Sequence, residues 1–408
     1  MDFNTRLLHD NFVPDKTTGA TLTPIYQVSA FARESAEELE RVFNNKAPGF
    51  AYTRISNPTV SAFENRVNAL EKGLGAVACS SGMAAVSMSL MNILRSGDEV
   101  IASSGLFGGT IDLFGDLADF GITTCFVEHT TPEEIEPLIN EKTRVIFAEL
   151  IGNPGLEVVD ISAVAELAHS RGIPLILDST TATPYLINPF EFGADIVVHS
   201  SSKYINGGGN SISGIIVDSG NFKWDTQKFP GLVEYKKYGK LAYLAKLRNG
   251  IWRNIGGCLA PMNAFMNSVG LETLGLRMER SCENALKLAE FFEASNGVEV
   301  NYPALKSSKY FDLCNRQLKG KGGAIITIRA GSRERAFKLI NALKLAVNAT
   351  NIGDVRTLVI HPSSTIYTHS TEAQKHSAGV FDDTIRISVG IEDINDLIGD
   401  FDQAIKSL

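Results

Sequence analysis

Short, unbroken apolar runs recur through the first half of the chain, at Ala76–Cys79, Val100–Ala102, Cys125–Val127, Val145–Ala148, Leu175–Leu177, Ile196–Val198 and Ile215–Val217. Segments with helical spacing, Ile161–His169 among them, separate most of these runs. Runs apolar on both faces read as buried strands, and their alternation with helices predicts an α/β architecture with a mostly parallel, doubly wound sheet covered on both sides. Ahead of this core, residues 1–55 show weak periodicity and read as an extended arm, broken by one amphipathic helix near Ser35–Phe43. Ser56-Asn57-Pro58-Thr59 is a helix start, leading into a helix over Val60–Leu70. Residues 219–260 are less regular. One long amphipathic helix is expected from about Met262 into Phe291. Beyond it lies a smaller α+β region with strands near Gly323–Ile328 and Thr384–Val389 and helices at Ser332–Leu343 and Ile394–Lys406. The expected organisation is an arm at 1–55, a large domain at 56–255 and a small C-terminal domain at 256–408.

Composition narrows the class. A chain of 408 residues with 44% hydrophobic and 21% charged content is long enough for two domains with sizeable cores. A net charge of -8 gives no electrostatic reason to bind nucleic acid. The N-terminal MDFNTRLLHDNF lacks the apolar core of a signal peptide, and no stretch has the uncharged length of a membrane span. The five cysteines are scattered and odd in number, which reads as reduced thiols in a cytoplasmic protein. With the seven histidines equally dispersed, no metal site is expected.

Three of the apolar runs end in polar residues, and all three would project to one edge of a parallel sheet, where open α/β sheets bind ligands. After Cys79 comes Ser80-Ser81-Gly82-Met83, opening a helix. Free N–H groups at that helix start form either an anion site or a plain glycine-containing cap. Ser200 and Ser202 add hydroxyls from another strand end, and Arg54 would add a charge, so that the set fits a phosphate ester. Asp178 ends a fully apolar run; it is either a cap or the partner of a buried cation. Lys203 follows three serines and precedes Gly207–Gly209. It is either a solvated loop lysine or a desolvated amine nucleophile. Arg386 sits inside an apparent strand, either paired with Glu392 or Asp393 or aimed at a cleft as a carboxylate receptor. A phosphate site, a carboxylate that keeps a pyridine nitrogen protonated and an amine nucleophile together specify pyridoxal phosphate.

These segments resemble the cysteine/methionine-metabolism family of pyridoxal-phosphate enzymes, nearly end to end. The resemblance rests on YTRISNPT (52–59), SSGMAA (80–85), ELIGNP (149–154), Asp178–Thr180, HSSSKYIN (199–206), NIGDVRTLVIHP (351–362) and RISVGIED (386–393). It implies the fold-type I transferase architecture. It also implies roles at the matching positions. Lys203 looks like the lysine that carries the cofactor and shuttles protons, and Asp178 like the pyridinium partner. Gly82, Met83, Ser200, Ser202 and Thr180 look like cofactor ligands. Tyr52 and Arg54 look like ligands donated by a neighbouring subunit, in a homotetramer built as a dimer of dimers with shared active sites. Asn153 resembles the residue near the cofactor's phenolic oxygen. Arg386, with Asn351 and Asn153, resembles the substrate site.

Within the family, Tyr243–Ala285 looks most like the O-acetylhomoserine sulfhydrylases, which implies a place in methionine biosynthesis. Methionine γ-lyases typically carry a cysteine at the position of Gly109. One departure stands out: Phe107 replaces the tyrosine that the family stacks on the cofactor ring. Stacking needs only the aromatic face and survives, whereas the phenol's acid–base role must fall to Lys203, to Tyr52 or to water. The expected reaction is γ-replacement on O-acetylhomoserine by sulfide or a thiol, giving homocysteine or methionine. The alternatives are a γ- or β-eliminating lyase with the same cofactor and, from another class, a noncatalytic protein that binds a phosphorylated metabolite.

Overall fold

In the computed structural model, which describes residues 1–408, all seven apolar runs become strands of one sheet. They are Gly75–Cys79 (β1), Glu99–Ser103 (β2), Thr123–Val127 (β3), Thr143–Glu149 (β4), Leu175–Asp178 (β5), Ile196–His199 (β6) and Gly214–Asp218 (β7). The order is β1-β7-β6-β5-β4-β2-β3. Every pairing from β6 through β3 is parallel, and β7 runs antiparallel to both β6 and β1. The exception has a cause in the chain. No helix lies between β6 and β7, so the strand direction must reverse across the intervening loop, and that loop carries Lys203.

Two apolar layers sandwich this sheet. One joins the helix Pro58–Glu71 and the helix Ile161–Ser170 to its first face; the other joins the helices Gly82–Met91 and Gly108–Asp119 to the second. A five-stranded sheet, with Glu299–Asn301 (β8), Ile325–Arg329 (β9), Val347–Asn348 (β10), Leu358–Ile360 (β11) and Thr384–Ser388 (β12), forms the second region in the order β10-β11-β12-β9-β8. It packs against Leu274–Ala294 and Ile394–Lys406 through its own core, with Phe292 and Phe401 edge to face.

Local chemistry explains the element boundaries. Asn57 caps the helix Pro58–Glu71 by accepting the Thr59 N–H at 2.9 Å, and Ser81 caps Gly82–Met91 by accepting the Ala84 N–H at 3.0 Å. The arm holds a second helix, Phe3–His9, that the weak periodicity hid. The long helix expected from Met262 is two, Pro261–Leu271 and Leu274–Ala294. Arg277, in the first turn of the second helix, reaches back across the break. Its guanidinium donates to the Gly270 carbonyl at 2.8 Å and to the Tyr204 and Ile205 carbonyls at 2.6 and 3.1 Å. The break therefore anchors the segment just after Lys203. No helix is long and apolar enough to cross a membrane.

Candidate active site

A cavity of about 700 Å³ opens at the carboxyl ends of β1, β4, β5 and β6 and is closed from the other side by the small sheet region. Gly82, Met83, Phe107, Asn153, Asp178, Thr180, Ser200, Ser202, Lys203, Asn351 and Arg386 all line it. Sequence positions more than 300 residues apart are thus brought to one place.

The helix start Gly82–Met83 forms one end. Its first-turn N–H groups have no acceptor within the helix. Gly82 is there because Ser200 is packed against it: a Cβ at Gly82 would stand 2.5 Å from Ser200 Cβ and 3.0 Å from its Cα. The Ser200 N–H donates to Thr180 Oγ1 at 2.8 Å, which ties the two strand ends together. Ser202 is engaged within its own loop. Its hydroxyl donates to the Ser213 carbonyl at 2.9 Å and accepts the Ser213 N–H at 2.8 Å.

Two carboxylates stand side by side at the ends of β4 and β5, where Glu149 and Asp178 are register partners. Burial holds Asp178 above the usual carboxylate range, offset in part by the Thr180 N–H at 2.8 Å. Asp178 caps no helix; the next one, Thr183–Leu186, has no side-chain cap. Burial and the neighbouring Asp178 push Glu149 up to about 8. Sequence reasoning passed over Glu149, because an acid closing a strand is an ordinary surface feature until its neighbours are known. Ile212, Thr365 and Ile366, which also line the cavity, carried no signal beyond their types.

Lys203 is largely withdrawn from water, and that burial, with Arg386 nearby, pushes its amine down to about 8. Its Nζ donates to Asn351 Oδ1 at 2.6 Å. Arg386 is 3% exposed and is not paired with Glu392 or Asp393, which corrects that alternative. Glu392 is taken by the Thr357 backbone and hydroxyl. Arg386 instead donates to Asn153 Oδ1 at 3.2 Å and to the Asn351 carbonyl at 2.9 Å, and its Nε is buried with no partner. Burial lowers its guanidinium to about 10. Phe107 lies at the cavity wall with its ring over Gly109, where a Cβ would stand 2.9 Å from Phe107 Cε1.

Tyr52 and Arg54 lie apart from this cluster. Neither lines the cavity; Arg54 donates to the Arg253 carbonyl at 2.7 Å and lies over the Tyr52 ring. The five cysteines are all free, and no cluster of three or more metal-binding side chains exists.

With these groups in place the site can bind an anion at Gly82–Met83, a cation or protonated nitrogen at Asp178, and a carboxylate at Arg386. It also presents an amine poised to lose its proton near neutral pH.

The sequence matches the family described as "Cys/Met metabolism PLP-dependent enzyme" over residues 4–406. It is 40% identical to the homocysteine synthase of Schizosaccharomyces pombe over 99% of this chain and 98% of that one. It is 39% identical to the O-acetyl-L-homoserine sulfhydrylase of Leptospira meyeri over 98% and 96%. Among solved structures, a putative O-acetylhomoserine (thiol)-lyase from Campylobacter jejuni, containing N'-pyridoxyl-lysine-5'-monophosphate, superposes with a TM-score of 0.93 at 31% identity, covering both chains fully.

Proposed function

From the finding that this chain belongs to the Cys/Met-metabolism family of PLP-dependent enzymes, we propose that it catalyses γ-replacement on O-acetylhomoserine. Sulfide or a small thiol takes the place of acetate at Cγ, giving homocysteine or methionine, a step of methionine biosynthesis. The observation that carries the reading is the convergence of Lys203, Asp178, Gly82 and Arg386 on one cavity.

The residues fit pyridoxal phosphate. Only glycine at position 82 lets the Ser200 end of β6 pack against the helix start, so that both face the same end of the cavity. The buried Asp178 lacks a cation, and the buried Arg386 Nε lacks an acceptor. Gly82, Met83, Ser200 and Thr180 would hold the phosphate end, Asp178 the ring nitrogen and Phe107 the ring face. Lys203 would hold the aldehyde, and Asn153 would lie at the phenolic edge. Ser202 joins this set only if its hydroxyl turns from Ser213. When bound, the cofactor supplies a sink for electrons released next to the amino group of an amino acid.

The rest is the work of the chain's own side chains. Arg386 offers its unpaired Nε and forked guanidinium to the substrate carboxylate, with Asn153 and Asn351 fixing its plane. Freed when the substrate amino group replaces it on the aldehyde, Lys203 Nζ, with its basicity brought close to neutrality, takes a proton from Cα and then serves Cβ, so that acetate departs from Cγ and the sulfur nucleophile adds. Its proton is stored in the interval by a hydrogen bond to Asn351 Oδ1. No phenol stands at position 107, so Lys203 carries the proton traffic that a tyrosine there would share.

The assembly is proposed as a homotetramer in which Tyr52 and Arg54 complete a neighbouring subunit's phosphate site. Their absence from the lining of their own cavity supports this, as does the exposure of Phe12, Val13, Val28 and Phe43 on the arm and of Val233, Leu241 and Ile255 elsewhere. Five free thiols support a reducing, cytoplasmic setting.

Replacing Lys203 with Ala tests the core of the reading. Turnover is expected to fall by roughly a thousandfold or more, and borohydride should no longer fix cofactor to the protein. Turnover within tenfold of wild type would overturn it.

A further inference from the structure

Glu149 is the one charged group at the centre of the site to which the reaction above gives no task. It ends β4, is 9% exposed and stands opposite Asp178 in the register of β4 and β5. Placing a second carboxylate beside a first, away from water, is costly unless hydrogen bonds offset it. Two do. Oε1 accepts the Phe107 backbone N–H at 2.7 Å, and Oε2 accepts the Asn153 N–H at 3.1 Å. Each of those residues belongs to a different half of the site. Phe107 begins the helix Gly108–Asp119, its ring lying over Gly109, where a side chain would collide with it. Asn153 receives Arg386 Nη1 on its side-chain oxygen at 3.2 Å. The Tyr367 hydroxyl donates to the Leu106 carbonyl at 2.7 Å and reaches the Asn153 carbonyl at 3.4 Å, bracing the same two loops from behind.

We propose that Glu149 is a positioning residue that sets the ring-stacking Phe107 and, through Asn153, the carboxylate-receiving Arg386 in a fixed relation, one carboxylate oxygen to each. The inference rests on the cofactor reading given above. Its chemical basis is the bidentate acceptor. Above about pH 8 Glu149 is ionised and offers an oxygen to each N–H, whereas an amide offers one oxygen and presents hydrogens to the other donor. Glu149→Gln keeps the volume and must break one of the two contacts. A carboxylate that served folding alone would, on substitution, change stability and leave the two halves of the site unaltered in affinity.

The test uses the full-length protein in apo and cofactor-loaded forms, above about pH 8, where Glu149 is ionised. Pyridoxal phosphate affinity is measured by titrating the apoprotein, the KM for O-acetylhomoserine by sulfide-dependent turnover, and Tm by thermal unfolding. Glu149→Gln is expected to weaken cofactor binding or raise KM by about tenfold, according to which contact breaks. Glu149→Ala, which loses both contacts, is expected to do both. Adding Asn153→Ala to Glu149→Ala should raise KM by less than the product of the single effects, and adding Phe107→Ala should behave in the same way for cofactor affinity. Should the neutral variants fail to fold, Glu149→Asp, which keeps both oxygens but draws them back by one methylene, is expected to weaken cofactor binding and raise KM together. Wild-type affinity and KM in these variants, with or without a change in Tm, would overturn the proposal. A wild-type protein that binds no pyridoxal phosphate would instead overturn the cofactor reading on which it rests.

Discussion

At Lys203 two local effects oppose one another. Burial and Arg386 favour the neutral amine, while Asn351 Oδ1, 2.6 Å away, favours the ammonium. The balance lies at about 8, against 10.5 for an ordinary lysine. A lowered value means the neutral, nucleophilic amine becomes the major form above about pH 8. In the apoprotein, reductive methylation of Lys203, followed by peptide mass spectrometry, should therefore climb through that pH and level off, while exposed lysines go on climbing. Asn351→Asp adds a negative charge at the contact and should move the midpoint up. A midpoint near 10.5 in the unmodified protein would contradict this account of the amine. That Lys203 and Asp178 would meet at one sheet edge was legible because each follows an apolar run alongside the hydroxyls and glycines of Ser80–Gly82 and Ser200–Ser202. Glu149 was not, because its meaning depends on Asp178 beside it and on two N–H groups from separate loops.

Among the elements, the helix Gly82–Met91 and the end of β6 depend on each other. Gly82 lets Ser200 come close, which brings the first N–H groups of the helix and the end of β6 to the same part of the cavity. Gly82→Ala would set a Cβ 3.0 Å from the Ser200 backbone and force the two apart. The expected result is a loss of pyridoxal phosphate affinity of about tenfold or more, with the fold retained. Titration of the apoprotein measures it, and unchanged affinity would count against that arrangement. The strands of the large sheet were readable because each is an apolar run bounded by polar residues. The short β8, β10 and β11 of the small sheet were not. Two of them are largely exposed two- or three-residue pieces, and β11 is a buried run of only three. The split of the expected long helix was equally hidden, since the contacts around it, those of Arg277 among them, reach carbonyls some 70 residues away.

For the whole molecule, the arm raises the question of which cavity Tyr52 and Arg54 serve. If they complete a partner's site, Arg54→Ala and Lys203→Ala subunits fail separately and help each other when mixed. In a mixed dimer one site carries both defects and the other carries neither. Co-expression of the two variants should then recover roughly a quarter of the sites, given random pairing of equal amounts. Activity no greater than that of the parents would place Arg54 in another role. The proposal of shared sites comes only through family resemblance, because nothing in a single sequence says that two residues act in a neighbour.

The central claim is the reaction itself, and the most direct measurement runs two assays on the same cofactor-loaded protein. One gives it O-acetylhomoserine with sulfide and follows homocysteine; the other gives it methionine alone and follows 2-oxobutanoate. The account predicts homocysteine in the first and little keto acid in the second. Substantial 2-oxobutanoate from methionine, with little homocysteine, would contradict it and make this site an eliminating one.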